Sequence, residues 1–394
     1  KQLNFYIMRI SKLFLSIAFS LAIFAACTQT PAQKTDKAIK AVIKEFNAVG
    51  ISAAVVKDGE IVYNESFGYK NLETKEPLAN TDVMRIASIS KSFTATSLLQ
   101  LVEKGIISLD DDVSDLIGFK IRNPHYPDDV ITLRMVLSHT ASIKDKDDYF
   151  TVDHLNPAVY GDCIESYFEY RPGEGYNYSN MGLNLAGTIL EKVSGVRFDD
   201  YVRENVIHKL GLYGGHNIDS LDAYRFATIY SYSDGKFEES KGAYRSRSED
   251  MPGYILGYSA PIFSPTGGVK ISAHDLAVYM MMHMNYGEYN GVRIISQESA
   301  KAMQTPVWIA KQDWEDQYGL CLKEFINFID DPKYNEEGKY PVGHTGGAYG
   351  LRSIMIWSPA DGWGIVAMTN GYQGAEGKDF LKTLTNAIYN SYIK

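Results

Sequence analysis

The strand-like stretches of this chain stand at its two ends and the helical ones between them, and that segregation constrains the fold more than any single motif. Near the start, Ile51 to Val56 and Ile61 to Phe67 flank Lys57-Asp58-Gly59-Glu60, and Asp-Gly between two apolar runs specifies a tight antiparallel hairpin. Near the finish, Gly346 to Tyr349, Ser353 to Trp357 and Gly364 to Met368 read as strands separated by turns. A helix carrying Ala38, Val42, Ile43 and Phe46 on one face precedes the hairpin and stops at Gly50, and Asp379 to Ile393 reads as a closing helix. Between them lie a helix from Ile86 capped near Gly105, a loop-broken helical stretch from Ile106 to Met251, and an apolar helix over Ala273 to Met284. The expected class is α/β in the broad sense, α+β in detail: an antiparallel β-sheet flanked by helices and completed by both termini, with an inserted helical lobe. The sheet lobe is expected over residues 40–87 and 255–394 and the helical lobe over 88–254.

With 394 residues, 45% hydrophobic and 22% charged, the chain can bury a large core and is not a disordered one. A net charge of -9 and the absence of any long Lys/Arg run argue against nucleic-acid binding, which needs a basic face. Cys27, Cys163 and Cys321 are too scattered for a disulfide framework, although a bridge between Cys163 and Cys321 stays open.

Residues 1–26 read as a signal peptide. Arg9 and Lys12 precede the apolar run Leu13 to Ala26, which is short for a membrane span and suits a secretory leader, with Met8 as the expected start. Phe24-Ala25-Ala26-Cys27 is similar to a bacterial lipoprotein cleavage box, which would make Cys27 a lipidated N-terminus anchored to a membrane. Phe24 stands where such boxes usually carry Leu, so ordinary cleavage near Ala26 is the alternative. The expected location is the periplasm or cell envelope, with residues 27–39 as a polar tether.

Three motifs follow one another: Ser88-Ile89-Ser90-Lys91, Tyr178-Ser179-Asn180 and His344-Thr345-Gly346-Gly347. Ser88 and Lys91 share a helix face within one turn, so a lysine kept partly neutral by desolvation can take the hydroxyl's proton. A helix-capping serine beside a surface lysine is the bland alternative, against which the flanks Arg85-Ile86-Ala87 and Phe93-Thr94-Ala95, largely apolar or small, speak. Tyr178 ends a turn-rich loop that runs into a helix near Met181; it works as a base only if a cation, Lys91, stabilises its phenolate, and otherwise packs in a core. Asn180 can bond Lys91 and a substrate amide, or cap the helix. His344 can relay a proton or bind an anion, or be a structural histidine. The glycines after Thr345 permit close approach of a backbone, and Ser88 with Gly347 is the natural pair of N–H donors for an oxyanion hole. Ser233-Asp234-Gly235-Lys236 and Tyr69-Lys70-Asn71 match the same loose patterns but read as turns.

Arg85-Ile86-Ala87-Ser88-Ile89-Ser90-Lys91-Ser92-Phe93, Tyr178-Ser179-Asn180, Pro265-Thr266-Gly267-Gly268 with Asp275-Leu276-Ala277, Tyr318-Gly319-Leu320 and Gly343-His344-Thr345-Gly346-Gly347 together resemble the class C β-lactamase and serine D-Ala-D-Ala carboxypeptidase family. Leu137-Ser138-His139-Thr140-Ala141-Ser142 resembles a further family block. The resemblance, running from about Lys40 to the C-terminus, implies a β-lactamase/transpeptidase-like fold, acylation of Ser88, proton exchange between Lys91 and Tyr178, substrate contacts at Asn180, His344, Thr345 and Gly346, and neither metal nor organic cofactor. Histidine at position 344, where lactamases of this family usually carry lysine, ranks peptidase or esterase action above lactamase action. The expected partner is a small molecule or short peptide, peptidoglycan-derived peptides among them. A non-catalytic protein that holds cell-wall peptides is the rival from another class. No Gly-x-Ser-x-Gly elbow or His-Glu-x-x-His helix offers a different hydrolase, and Asp110-Asp111-Asp112 reads as a solvated turn.

Overall fold

The computed structural model describes residues 29–309 and 317–394. The expected leader and Cys27 lie outside the described residues. The first element, α1 (Pro31–Glu45), begins earlier than its apolar spacing suggests. Thr30 accepts the backbone N–H of Gln33 while the Gln33 side chain accepts that of Thr30, and Pro31 starts the first turn. This reciprocal cap extends the helix through most of the segment expected to be a tether.

The hairpin follows as β1 (Gly50–Lys57) and β2 (Glu60–Asn71), with Asp58 and Gly59 at φ 53° and 81°, the left-handed pair that a two-residue hairpin turn requires. The remaining strands of the main sheet are β3 (Glu76–Pro77), β4 (Gln317–Tyr318), β5 (Lys323–Glu324), β6 (Val342–Ala348), β7 (Leu351–Ser358) and β8 (Trp363–Thr369). They form one eight-stranded sheet in the order β4-β5-β6-β7-β8-β1-β2-β3. The first long strand pairs antiparallel with the last, from Ile51 opposite Thr369 to Lys57 opposite Trp363. Strands from the two ends of the chain thus meet at the sheet's centre.

Both faces of that centre are covered, so β8 is buried at every position. Alternate side chains divide between two layers, as the period of a strand demands. Ile51, Ala53, Val55, Ile365 and Ala367 pack with Ile39 and Val42 of α1, with Phe46 at its C-terminal cap and with Leu384 and Ile388 of the closing helix (Phe380–Ile388). Ala54, Val56, Val366 and Met368 face the opposite layer, where the apolar helix Ala273–Met284 lies. Cys163 and Cys321 are buried and free, so the disulfide left open does not form.

Two helices carry the expected motifs inward: α2 (Ser90–Glu103) and α3 (Asn180–Ser194). The mostly buried α2 packs against α3, and between them sits the loop Ser264–Gly267. Thr94 of α2 donates to the Pro265 carbonyl at 2.9 Å. A Cβ on Gly187 of α3 would fall 2.2 Å from Pro265 Cγ and 2.4 Å from its Cβ. The rest of the middle segment is less helical than its sequence suggests, being built largely from single turns and a hairpin of Tyr230–Ser233 with Lys236–Glu239. Gly187→Ala should lower stability by roughly 1–3 kcal/mol, the usual cost of overpacking. It should appear as a lower urea midpoint at unchanged slope; an unmoved midpoint would show that α3 and the Pro265 loop are not in contact.

Candidate active site

Ser88 stands in the single turn Ala87–Ile89 that leads into α2. Ala87 is held at φ 47°, a conformation that side chains disfavour, so the surroundings must fix the turn. Ile86 donates its N–H to the Val269 carbonyl at 2.9 Å, Ser353 donates to the Ile86 carbonyl at 2.9 Å, and Val269 donates to Ser90 Oγ at 3.0 Å. Strand β6 lies directly against this turn. A Cβ on Gly346 would come within 2.2 Å of the Ile86 oxygen and 2.4 Å of Ser353 Oγ, which explains a residue without a side chain there.

Lys91 is wholly buried, and its Nζ meets three groups: Ser88 Oγ at 3.1 Å, Asn180 Oδ1 at 2.8 Å and the Thr266 carbonyl at 2.9 Å. Loss of water around the amine pushes its pKa down to about 7, partly opposed by Cys321 and then Asp145. Of the three neighbours, two can only accept, whereas the serine hydroxyl can also donate. A neutral amine therefore fits the site: two N–H bonds go to Asn180 and Thr266, and its lone pair faces Ser88.

Asn180 owes its orientation to Asp145, a residue that none of the motifs includes. Asp145 accepts from Asn180 Nδ2 at 2.8 Å, from Ser179 Oγ at 2.9 Å, and from the backbone N–H groups of Asn180 and Met181 at 3.0 and 2.9 Å. Its carboxylate thus binds the donor-rich start of α3 and turns the Asn180 carbonyl towards Lys91. Thr266 Oγ1 donates to the same Oδ1 at 2.8 Å. The helix itself is capped by Ser179, so Asn180 is not its cap.

Tyr178 reaches Ser88. Its phenol hydrogen-bonds Ser88, and Lys91 Nζ lies 4.7 Å from the ring centroid. Burial nonetheless pushes the phenol well above its usual value, with the Ser88 bond only partly opposing. The expected phenolate is therefore not stabilised, and the low-dielectric site favours neutral lysine with neutral tyrosine.

His344 is placed in the cleft but not as a cation. The imidazole is buried, its Nδ1 bonds the Thr345 carbonyl at 2.5 Å, and its Nε2 bonds the Tyr318 hydroxyl at 2.6 Å. Burial first, and then Lys91, push its pKa down to about 3. With Nδ1 protonated against a carbonyl, Nε2 accepts from Tyr318, so at neutral pH the ring positions that tyrosine. Of the three roles open to His344, the structural one fits this geometry, and a protonated anion-binding ring does not. His139 was missed: its Nδ1 accepts the Ser179 N–H at 3.1 Å, and its ring lies 4.3 Å from that of Tyr178. Only the block around Leu137 hinted at it.

The cleft has two arms that meet at Ser88, Tyr178 and Gly347. The larger, about 710 Å³, includes Tyr176, Trp308, Tyr318, Lys323 and the expected residues His344, Thr345 and Gly346. The smaller, about 500 Å³, includes Arg85, Tyr149, Phe150, Asn180, Thr266 and Tyr349. Ser88 and Gly347, the expected oxyanion pair, thus face one space, while Ser233 is exposed in its hairpin turn, as a decoy should be. Among the described residues no cluster of His, Cys, Asp or Glu is suited to a metal ion.

The family model described as Beta-lactamase matches residues 36–389. Penicillin-binding protein 4* of Bacillus subtilis (strain 168) is 33% identical over 178 residues, 43% of this chain and 37% of that protein. Protein flp of Staphylococcus aureus (strain N315) is 22% identical over 355 residues, 87% of this chain and 64% of that protein. The chain thus spans less than two thirds of either relative's length. Among solved structures, the octameric penicillin-binding protein homologue from Pyrococcus abyssi superposes with a TM-score of 0.71 at 25% identity, covering 91% of this chain and 76% of that one. A class C beta lactamase from Rhodobacter sphaeroides gives 0.69 at 18% identity, covering 92% and 99%, a likeness of fold.

The depressed Lys91 value couples stability to pH. Between about 7 and the ordinary 10.5 the unfolded chain carries a proton here that the folded one does not, so this group makes stability rise with pH across that window. Its penalty is complete below pH 7 and absent above 10.5. Lys91→Met should therefore melt above the wild type at pH 6, with the difference shrinking as pH rises. A variant less stable than wild type at pH 6 would show that the buried amine is not strained.

Proposed function

The chain belongs to the beta-lactamase family, and on that premise we propose that it is a serine hydrolase that opens an amide or ester through an acyl-enzyme on Ser88. The observation that carries this reading is the water-free amine of Lys91 bound to the Ser88 hydroxyl. Neutral Lys91 takes the hydroxyl proton as Ser88 Oγ attacks the carbonyl carbon, and the N–H groups of Ser88 and Gly347 receive the developing oxyanion. As the tetrahedral intermediate collapses, Tyr178 gives its proton to the departing amine or alkoxide and regains one from the Lys91 ammonium. The same pair then serves a water that attacks the acyl carbonyl and restores Ser88. Asn180, fixed by Asp145, holds Lys91 on this path.

A histidine at position 344, which does not supply the fixed charge of a lysine there, supports a ranking of substrates. Peptidase or esterase action, including the D-Ala-D-Ala carboxypeptidase kind, stands above β-lactam hydrolysis. Export on the leader, with a lipid anchor on Cys27, is the setting that the sequence suggests for such an enzyme.

Intact-mass measurement after incubation with a fluorophosphonate, penicillin and a D-Ala-D-Ala peptide should give an adduct on the wild type and none on Ser88→Ala, while Ser233→Ala reacts normally. Undiminished labelling of Ser88→Ala would overturn the assignment, and no adduct with any probe would favour the binding-protein alternative. Tyr178→Phe should lower kcat by roughly 10²-fold to 10⁴-fold. For a substrate limited by acylation, kcat/KM should rise with pH through about 7 as Lys91 loses its proton, and His344→Gln should leave that limb in place. In a lipoprotein-processing host the full-length protein should partition to membranes and Cys27→Ala should not; equal partitioning would remove the anchor.

A further inference from the structure

Arg85 is the one basic residue of the first motif's flank that the mechanism leaves unused, and its setting is costly. Only 4% exposed, it donates from Nε to the Gly267 carbonyl at 2.7 Å and from Nη2 to Ser264 Oγ at 3.1 Å, which leaves Nη1 without a protein partner among the described residues. Directly opposite it, across a short antiparallel ladder, stands Lys270, 3% exposed and donating to the His216 carbonyl at 2.5 Å. Like charges facing each other across a ladder repel. Neither has a carboxylate within 4.0 Å among the described residues. Arg247 approaches from a third side and disfavours the Arg85 charge further. A buried cation without a counter-ion is expensive; burial first, and then Arg85, push the Lys270 amine well below its usual value, and Arg85 is the member of the pair that lines the cleft.

The cleft continues towards them. A further cavity of about 340 Å³, lined by Arg245, Arg247 and Asp250, shares Arg85, Phe150 and Tyr349 with the smaller arm that contains Ser88. Arg245 and Arg247 both lean on Asp250, at 2.5 and 3.6 Å, so three guanidinium groups line this space against a single carboxylate. Tyr349 lies over the Arg85 guanidinium at 5.2 Å, and Tyr149 and Phe150 add aromatic walls.

We propose that this arm is an anion subsite in which Arg85 and Arg247 hold a carboxylate carried by the substrate whose carbonyl sits at Ser88. The aromatic walls select an organic anion with an apolar portion over inorganic phosphate. The assignment deepens the hydrolase reading and rests on it for the word substrate. It also moves anion recognition from His344 to the opposite arm.

The test separates binding from turnover by using full-length Ser88→Ala protein and titration calorimetry with hippurate, an aromatic carboxylate, against its neutral amide. Hippurate should bind at least about tenfold more tightly than the amide, as expected of a charge-assisted contact. Arg247→Gln, a partly exposed position whose loss should not prevent folding, should erase most of that difference, and Lys323→Gln on the other arm should not. Equal binding of acid and amide, or a difference that survives Arg247→Gln or disappears with Lys323→Gln, would overturn the subsite. A wild type that turns over no ester while hippurate still discriminates would instead sink the hydrolase reading and leave the anion site standing.

Discussion

The cleft depends on one amine having been taken out of water. Lys91 is pressed among Ser88, Asn180 and the Thr266 carbonyl, and its three neighbours come from three separate parts of the chain. Each must be held still, because a lysine with room to move would reach solvent and recover its ordinary basicity. The support is accordingly rigid: α2 is buried almost throughout, the Pro265 loop is wedged against Gly187, and Asp145 locks the Asn180 amide in the orientation that presents its oxygen. Stability is lost to keep the amine out of water, and buried groups shifted in this way cluster at functional sites.

The same demand explains why the sheet is assembled from both ends of the chain. Strand β6 approaches the Ser88 turn closely enough to line the cleft beside it, and it can do so only without a side chain at Gly346. That approach is fixed by β7, whose Ser353 ties back to Ile86. Behind β7 the stack continues through β8 to β1, where residues far apart in sequence pair across the buried centre. A slip of one residue anywhere in that ladder would turn Ser353 to the other face and free the turn.

Much of this was legible beforehand, for local reasons. The Asp-Gly hairpin, the apolar helix before Met284 and the late strands declare themselves by spacing and turn chemistry, and the three motifs bring together the residues that their order suggested. What escaped depended on distance or on surroundings. The cap of α1 was hidden in a polar stretch that composition alone assigns to a tether. Asp145 gives no local sign of its task, since its partners lie 34 to 36 residues away. The charge state of His344 is a property of its burial and of Lys91, neither of which its own motif encodes. Arg85 looked like the edge of an apolar flank until Lys270 was seen opposite it.

The two arms of the cleft therefore differ in a way that the motifs do not express. One is walled by aromatic side chains and a histidine kept neutral by burial, with Lys323 among its lining. The other leads to guanidinium groups in excess of carboxylates. A molecule lying across Ser88 with an anionic end would meet one ammonium group, that of Lys323, in the first direction and three guanidinium groups with one carboxylate in the second, a difference in charge that biases its orientation. Because Arg85 precedes Ser88 by three residues, and Ser264 and Gly267, which hold its guanidinium, flank Thr266, the charge proposed to orient a substrate is built into the same segments that hold Ser88 and Lys91. A change that shifted either segment would then disturb recognition and proton transfer together, which ties the specificity of such a site to the fold more tightly than loops alone would.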